Sequence, residues 1–161
     1  PFRFSESYSD RRGKRGEDKL ELTEEDISLS ANNKNMDFEY KMEITADPEE
    51  VFAALTNPFQ IELWSGYPAD MKAEEGYVFS LWEGDITGVN LEVVPGKLLV
   101  QEWFFGEQEK QSIVRITLKK EGARTLVGLT HTHIPEDVYE EITGGWKEYY
   151  LEAIKGMLEM Y

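Results

Sequence analysis

The stretch Gly144-Gly145-Trp146-Lys147-Glu148-Tyr149-Tyr150-Leu151-Glu152-Ala153-Ile154-Lys155-Gly156-Met157-Leu158-Glu159-Met160-Tyr161 decides the fold. Trp146, Tyr149, Tyr150, Ala153, Ile154, Met157, Leu158 and Tyr161 follow the i, i+3, i+4, i+7 spacing of one helical face. Lys147, Glu148, Glu152, Lys155 and Glu159 fall on the other side, which predicts a helix wet on one face and buried on the other. A helix this aromatic needs a broad apolar partner. The alternating segments between Phe38 and His133 are the partner the sequence offers.

Phe38, Tyr40, Met42 and Ile44 alternate with Asp37, Glu39, Lys41 and Glu43, a strand with one buried face. Asp47-Pro48-Glu49-Glu50 then reads as an N-cap, a proline at the first helical position and acids in the first turn. Val51, Phe52, Ala54 and Leu55 give that short helix an apolar side, and Asn57-Pro58 ends it. Phe59 to Trp64 predicts a second short helix, and residues 65–75 a loop. Strands follow over residues 77–82, 86–94, 97–105, 111–119 and 124–132. The turn signals between them, such as Pro95-Gly96 and Glu121-Gly122, are short enough to require antiparallel hairpins. Gly88 interrupts its strand and predicts a bulge or a sharp bend of the sheet there. The expected architecture is α+β: a curved antiparallel six-stranded sheet wrapped around a long C-terminal helix, with two short helices between strands 1 and 2.

The chain has 161 residues, no cysteine and a formal net charge of −15. Such a length can bury a core without covalent staples, and the composition excludes disulfides, thiolate metal sites and a cysteine nucleophile. The charge is uneven: residues 1–35 hold 8 acidic and 7 basic side chains, while residues 36–161 hold 24 and 10, a net of −14. A surface that negative repels phosphate backbones and anionic headgroups, so neither nucleic acid nor membrane is an expected partner. No apolar run approaches the ~20 residues that cross a bilayer, and the expected location is cytoplasmic. Residues 1–35, with Arg11-Arg12-Gly13-Lys14-Arg15 and a short acidic piece at Thr23-Glu24-Glu25-Asp26, read as a disordered or artificial extension. Periodic structure starts at Met36, giving a domain over 36–161.

Several features resemble the homologues of the activator of heat-shock protein 90 ATPase, within the START-related helix-grip superfamily. They are Ala46-Asp47-Pro48-Glu49-Glu50-Val51-Phe52-Ala53-Ala54-Leu55-Thr56, Trp64, Gly76 with Phe79, Gly84 and Gly88, Val94-Pro95-Gly96-Lys97, Trp103, Thr125, Ile134-Pro135, and Gly145-Trp146 with Tyr149-Tyr150-Leu151-Glu152. The likeness covers residues 38–161 and corresponds to the carboxy-terminal domain of the two-domain eukaryotic activators. Residues 1–35, which contain no Trp, offer no counterpart to their amino-terminal domain. The resemblance implies the helix-grip fold, and the expected activity is binding of a small hydrophobic molecule in the cleft beneath the terminal helix; the alternatives are a cochaperone-like module that binds a chaperone or other protein, and then a cyclase or hydrolase acting in the cleft.

Strand alternation and the register that the resemblance implies place Phe79 and Leu81, then Leu99, Gln101, Trp103 and Phe105, then Val127, Leu129 and His131 on the inner face. The same register places Asn90 and Glu92 there. With Trp146, Tyr149 and Tyr150 from the helix, the candidate ligand contacts are Phe79, Leu81, Asn90, Glu92, Gln101, Trp103, Phe105, Leu129, His131, Trp146, Tyr149 and Tyr150. Gln101 and His131 are polar in an aromatic wall, either as a satisfied core pair or as groups that orient a ligand. His131 and His133 share a strand face by parity, yet no third ligand accompanies them, and no metal or other cofactor is expected. His131 with Glu92 nearby would be the acid-base pair of an enzyme, though no nucleophile or oxyanion motif accompanies it, and a non-enzymatic role is expected. Trp64, Tyr67 and Pro68 lie where a loop closes one mouth of the cleft or staples the short helices to the sheet.

Overall fold

The computed structural model describes residues 35–160. The expectations for residues 1–34, and Tyr161 of the aromatic stripe, lie outside the described residues. Six antiparallel strands form one sheet: β1 (Asn35–Ile44), β2 (Val78–Leu81), β3 (Ile86–Val94), β4 (Leu98–Trp103), β5 (Ser112–Glu121) and β6 (Arg124–Pro135), in the order β1-β6-β5-β4-β3-β2. Two short helices, α1 (Pro48–Thr56) and α2 (Pro58–Ser65), connect β1 to β2, as the sequence predicts. Glu50 accepts the Asp47 backbone N–H at 3.1 Å before α1, and Asn57 accepts those of Phe59 and Gln60 at 2.9 and 3.3 Å to start α2. Gly66 ends α2 at φ +83°, a backbone conformation that other side chains resist. The Trp64 indole donates to the Ala54 carbonyl at 2.8 Å and its ring lies 4.8 Å from Tyr150, so it staples α2 to both α1 and the terminal helix.

The terminal helix runs through three windings: α3 (Tyr139–Gly145), a π-helical turn (Trp146–Leu151) and α4 (Glu152–Glu159). The Glu152 N–H reaches back to the Lys147 carbonyl, the five-residue bond of a π turn. That extra residue per turn changes which side chains face the sheet. Ile142, Trp146, Tyr150 and Ile154 are all buried at spacings of four, and Leu151 is buried beside them. Tyr149 is 44% exposed, which overturns its expected inward position: the i+3 rule assumes an unbroken α-helix. Lys147 reaches back over β1, with its ammonium 5.5 Å from the Phe38 ring and 5.8 Å from that of Tyr40. At its far end the helix is tied to β1, where Lys155 Nζ donates to the Glu43 carbonyl at 2.8 Å and the Thr45 N–H donates to Glu159 at 2.9 Å.

Two irregularities in the sheet correct the expected register. Gly88 is not a bulge: it pairs with Phe79 on β2 and Trp103 on β4. It is glycine because a Cβ there would stand 2.1 Å from the Glu102 carbonyl oxygen and 2.7 Å from Phe79 Cζ. The bulge lies at Leu91 instead, since Asn90 pairs with Gln101 but Glu92 with Val100. Asn90 therefore stays buried while Glu92 turns out to solvent, which corrects its inward placement. A second irregularity, between Met36 and Phe38 on β1, falls opposite His133, whose φ is +55°. His131 and Ile134 face inward across it, and the expected face shared by His131 and His133 does not form.

Candidate functional site

Inside the grip the aromatic residues of sheet and helix meet directly. Trp103 from β4 and Trp146 from the π turn stack with ring centroids 4.8 Å apart and planes 22° apart. Tyr150 lies 4.4 Å from Trp146, and His131 stands edge-on to both indoles, 5.0 Å from Trp103 and 6.1 Å from Trp146. Phe105 closes the group at 6.5 Å from Trp103. The space between Trp103 and Trp146 is thus filled by their own contact. Each ring removes ~150–250 Å² from water, worth roughly 4–6 kcal/mol per indole as an upper bound.

Each indole then needs an acceptor for its N–H, and the buried polar residues supply one apiece. Trp103 Nε1 donates to Gln101 Oε1 at 3.0 Å, Gln101 Nε2 donates to Asn90 Oδ1 at 3.0 Å, and Asn90 Nδ2 donates to the carbonyls of Lys72 at 2.8 Å and Glu74 at 3.2 Å. A donor-only indole at one end and acceptor-only carbonyls at the other fix both amide orientations. The loop between α2 and β2 is held onto the sheet by this chain, together with backbone bonds from Gly76 N to the Asn90 carbonyl at 2.7 Å and from Asn90 N to the Tyr77 carbonyl at 3.0 Å.

The second chain runs through His131. Trp146 Nε1 donates to His131 Nδ1 at 3.0 Å, so Nδ1 carries no proton and the neutral ring must carry it on Nε2. His131 Nε2 lies 2.8 Å from Ser112 Oγ and donates to it, while the Ser112 hydroxyl proton goes to the Thr132 carbonyl at 3.1 Å. Burial in this aromatic setting lowers the His131 pKa from 6.5 to about 3, because charging the ring would cost its desolvation. Burial also holds the Tyr150 hydroxyl above its ordinary value. Ser112 and His131 have the spacing of a nucleophile and base, but the proton sits on the wrong side: Nε2 gives a hydrogen bond to the serine rather than taking its proton. The expected His131–Glu92 acid-base pair does not assemble, since Glu92 is exposed and the partners of His131 are Ser112 and Trp146.

Of the twelve predicted ligand contacts, Phe79, Leu81, Asn90, Gln101, Trp103, Phe105, Leu129, His131, Trp146 and Tyr150 are buried inside the grip. Glu92 and Tyr149 are exposed. Sequence reasoning missed Ser112, although its signal was present: Val114, Ile116 and Leu118 alternate inward on β5, and parity carries Ser112 to the same face. Among the described residues no group of three or more His, Asp or Glu is placed to hold a metal ion. Among them, too, no helix is long and apolar enough to cross a membrane.

A second feature lies outside the cleft. Phe59 and Leu63, one helical turn apart on α2, are each 76% exposed, while Ile61 and Trp64 of the same helix are buried and anchor it.

Comparison with known proteins agrees with this architecture. The family model described as activator of Hsp90 ATPase homolog 1-like protein matches residues 45–159. The activator of 90 kDa heat shock protein ATPase homolog of Dictyostelium discoideum is 33% identical over 118 residues, covering 71% of this chain and 31% of that protein. The human activator homolog 1 is 28% identical over 110 residues, 67% of this chain and 32% of its own length. The chain therefore spans about a third of the curated relatives it matches. Among solved structures, an HSP90 activator from Plasmodium falciparum superposes with a TM-score of 0.72 at 28% identity, covering 77% of this chain and 96% of that one. The Aha1 dimer from Colwellia psychrerythraea shares the fold, with a TM-score of 0.69 at 19% identity over 78% of this chain and 97% of the other. With the family matched over most of its length, and the sheet, short helices and terminal helix in their expected places, the chain belongs to the activator of Hsp90 ATPase homolog 1-like family.

Proposed function

We propose that this domain is a partner-binding module of the chaperone-activator kind, docking on a chaperone of the 90 kDa heat-shock class. Kinship with activator homologues in several organisms supports the partner, and the observation that carries the reading is the exposed Phe59–Leu63 pair. Exposed apolar side chains on a rigidly held helix mark interfaces more often than isolated ones do. The net charge of −14 over residues 36–161 favours a basic surface on the partner and steers its approach. The experiment is calorimetric titration of the full chain into the chaperone, with ATPase turnover followed in parallel. Binding weakened at least tenfold by Phe59→Ser with Leu63→Ser, at unchanged Tm, supports the docking face. Unchanged binding by the double variant contradicts that face, and no binding by the wild-type chain contradicts the whole reading.

A second reading is a small hydrophobic molecule held beneath the terminal helix, and the π turn favours it. The helix is irregular over Trp146–Leu151, the segment that supplies Trp146 and Tyr150 to the cleft, and π turns recur at functional sites. Entry of a ligand would require that segment to move, because the two indoles already occupy the centre. Phe79, Leu81, Phe105 and Leu129 would then line the opened space, with Asn90, Gln101 and His131 as its polar points. Native mass spectrometry of the purified chain tests this: a co-purified small molecule supports it, and bare protein together with no binding from a hydrophobic panel contradicts it.

A further inference from the structure

We propose that the position occupied by the Trp146 ring is a site for an uncharged planar aromatic carrying one N–H or O–H donor, of the indole or phenol class, which takes over the hydrogen bond to His131 Nδ1. The proposal rests on the small-molecule reading and adds the chemistry of the ligand.

Its first support is the direction of the hydrogen bonds. His131 Nδ1 presents an acceptor to the slot, because the ring's one proton is committed on Nε2 to Ser112, whose own proton is committed to the Thr132 carbonyl. For the neutral ring to donate into the slot instead, its proton would have to move to Nδ1 and the Ser112 hydroxyl would have to turn from the Thr132 carbonyl to Nε2, giving up that bond, so the acceptor at Nδ1 is the arrangement the chain favours. When Trp146 leaves, a buried acceptor is stranded, and an occupant that brings a donor restores the bond. A carboxylate offers only acceptors, so it would need that reversed chain and would lose its own hydration in an apolar slot as well.

The second support is shape. The Trp146 indole lies in a flat slot, with Trp103 4.8 Å away on one side and Tyr150 4.4 Å away, and with His131 edge-on at 86°. Such walls favour a planar ring stacked in offset or tilted contact. The third is that this piece of helix is the one built to yield. It follows Gly144-Gly145 and is wound as a π turn, and a Cβ on Gly144 would meet nothing within 4 Å. The α4 end, in contrast, is tied to β1 through Lys155 and Glu159. Displacing Trp146 therefore asks for a local change between buried Ile142 of α3 and the tethered α4 end rather than loss of the whole helix.

The test is an NMR titration of the full chain with indole, 1-methylindole and benzoate, reading the Trp146 indole N–H and the His131 ring nitrogens. Indole is expected to move the Trp146 N–H signal saturably toward its solvent position, and to bind about tenfold more tightly than 1-methylindole, which lacks the donor. Benzoate is expected to leave the core signals in place. In parallel, the Tm of Trp146→Ala is expected to rise with added indole more than with 1-methylindole; should that variant not fold, the wild-type titration decides alone. Equal binding of indole and 1-methylindole, or a preference for benzoate, overturns the donor assignment while leaving a ligand site in the cleft. Core signals unmoved by any of the three overturn the assignment, and the small-molecule reading falls with it only where native mass spectrometry also finds bare protein and a hydrophobic panel does not bind.

Discussion

Two hydrogen-bond chains leave the stacked indoles toward opposite edges of the sheet, and they are made of different material. The chain from Trp103 passes through two amides, Gln101 and Asn90, to the carbonyls of the loop before β2. The chain from Trp146 passes through an imidazole and a hydroxyl to the Thr132 carbonyl on β6. Both satisfy every group they bury, so both make the packing of sheet and helix specific. Only the second contains a group that can take up a proton, and only the second crosses from the sheet to the helix. Amides that cannot titrate hold strand to strand and strand to loop; the imidazole holds the terminal helix to the sheet.

The sharpest way to break this contrast is Trp146→Ala. It removes a fully buried ring and strands His131 Nδ1, and is expected to cost ~4 kcal/mol or more, measured by urea denaturation. Gln101→Leu attacks the other chain, removing the acceptor of the Trp103 N–H and the donor to Asn90 Oδ1, and should cost about 2–4 kcal/mol at every pH from 5 to 8. The pH dependence then separates the two. The pKa of His131 is lowered in the folded state, so its contribution is fully present above 6.5 and is lost as pH falls toward about 3. Taking the chain from pH 7 to pH 5 should remove roughly 2 kcal/mol through His131, and that part of the slope should vanish in His131→Gln. Glu159 is expected to have the smallest effect. Its hydrogen bond from Lys155, and then that from the Thr45 backbone, lower its pKa, so its contribution is present at neutral pH and lost as pH falls through the acid carboxylate range. Glu159→Gln at neutral pH should change stability by no more than about 1 kcal/mol, because the pair is open to solvent.

The frame of this molecule was open to sequence reasoning because it rests on periodicity. Alternation in Phe38 to Ile44, a helical stripe from Trp146 onward and turn residues at Pro95-Gly96 and Glu121-Gly122 all depend on local geometry that repeats. The inward placement of side chains was legible where parity held, as for Gln101 and His131, and failed where one residue was added. An added residue at Leu91 turned Glu92 outward, and the widened π turn turned Tyr149 outward. Neither leaves a local mark, because both are settled by what packs across the element: Asn90 onto the carbonyls of Lys72 and Glu74, and Trp146 and Tyr150 onto Trp103 and Trp64. Gly88 misled for the same reason, since a glycine that admits the Phe79 ring and the Glu102 carbonyl looks in sequence like one that bends a strand.

The account turns on a neutral His131 that receives the Trp146 indole proton at Nδ1 and holds its own proton on Nε2. Long-range proton–nitrogen correlation spectra of the His131 ring between pH 7 and pH 4 test it most directly. The expected result is an unprotonated Nδ1, a protonated Nε2 and shifts that stay fixed across that range. A ring that titrates near 6.5, or one that carries its proton on Nδ1, would contradict it.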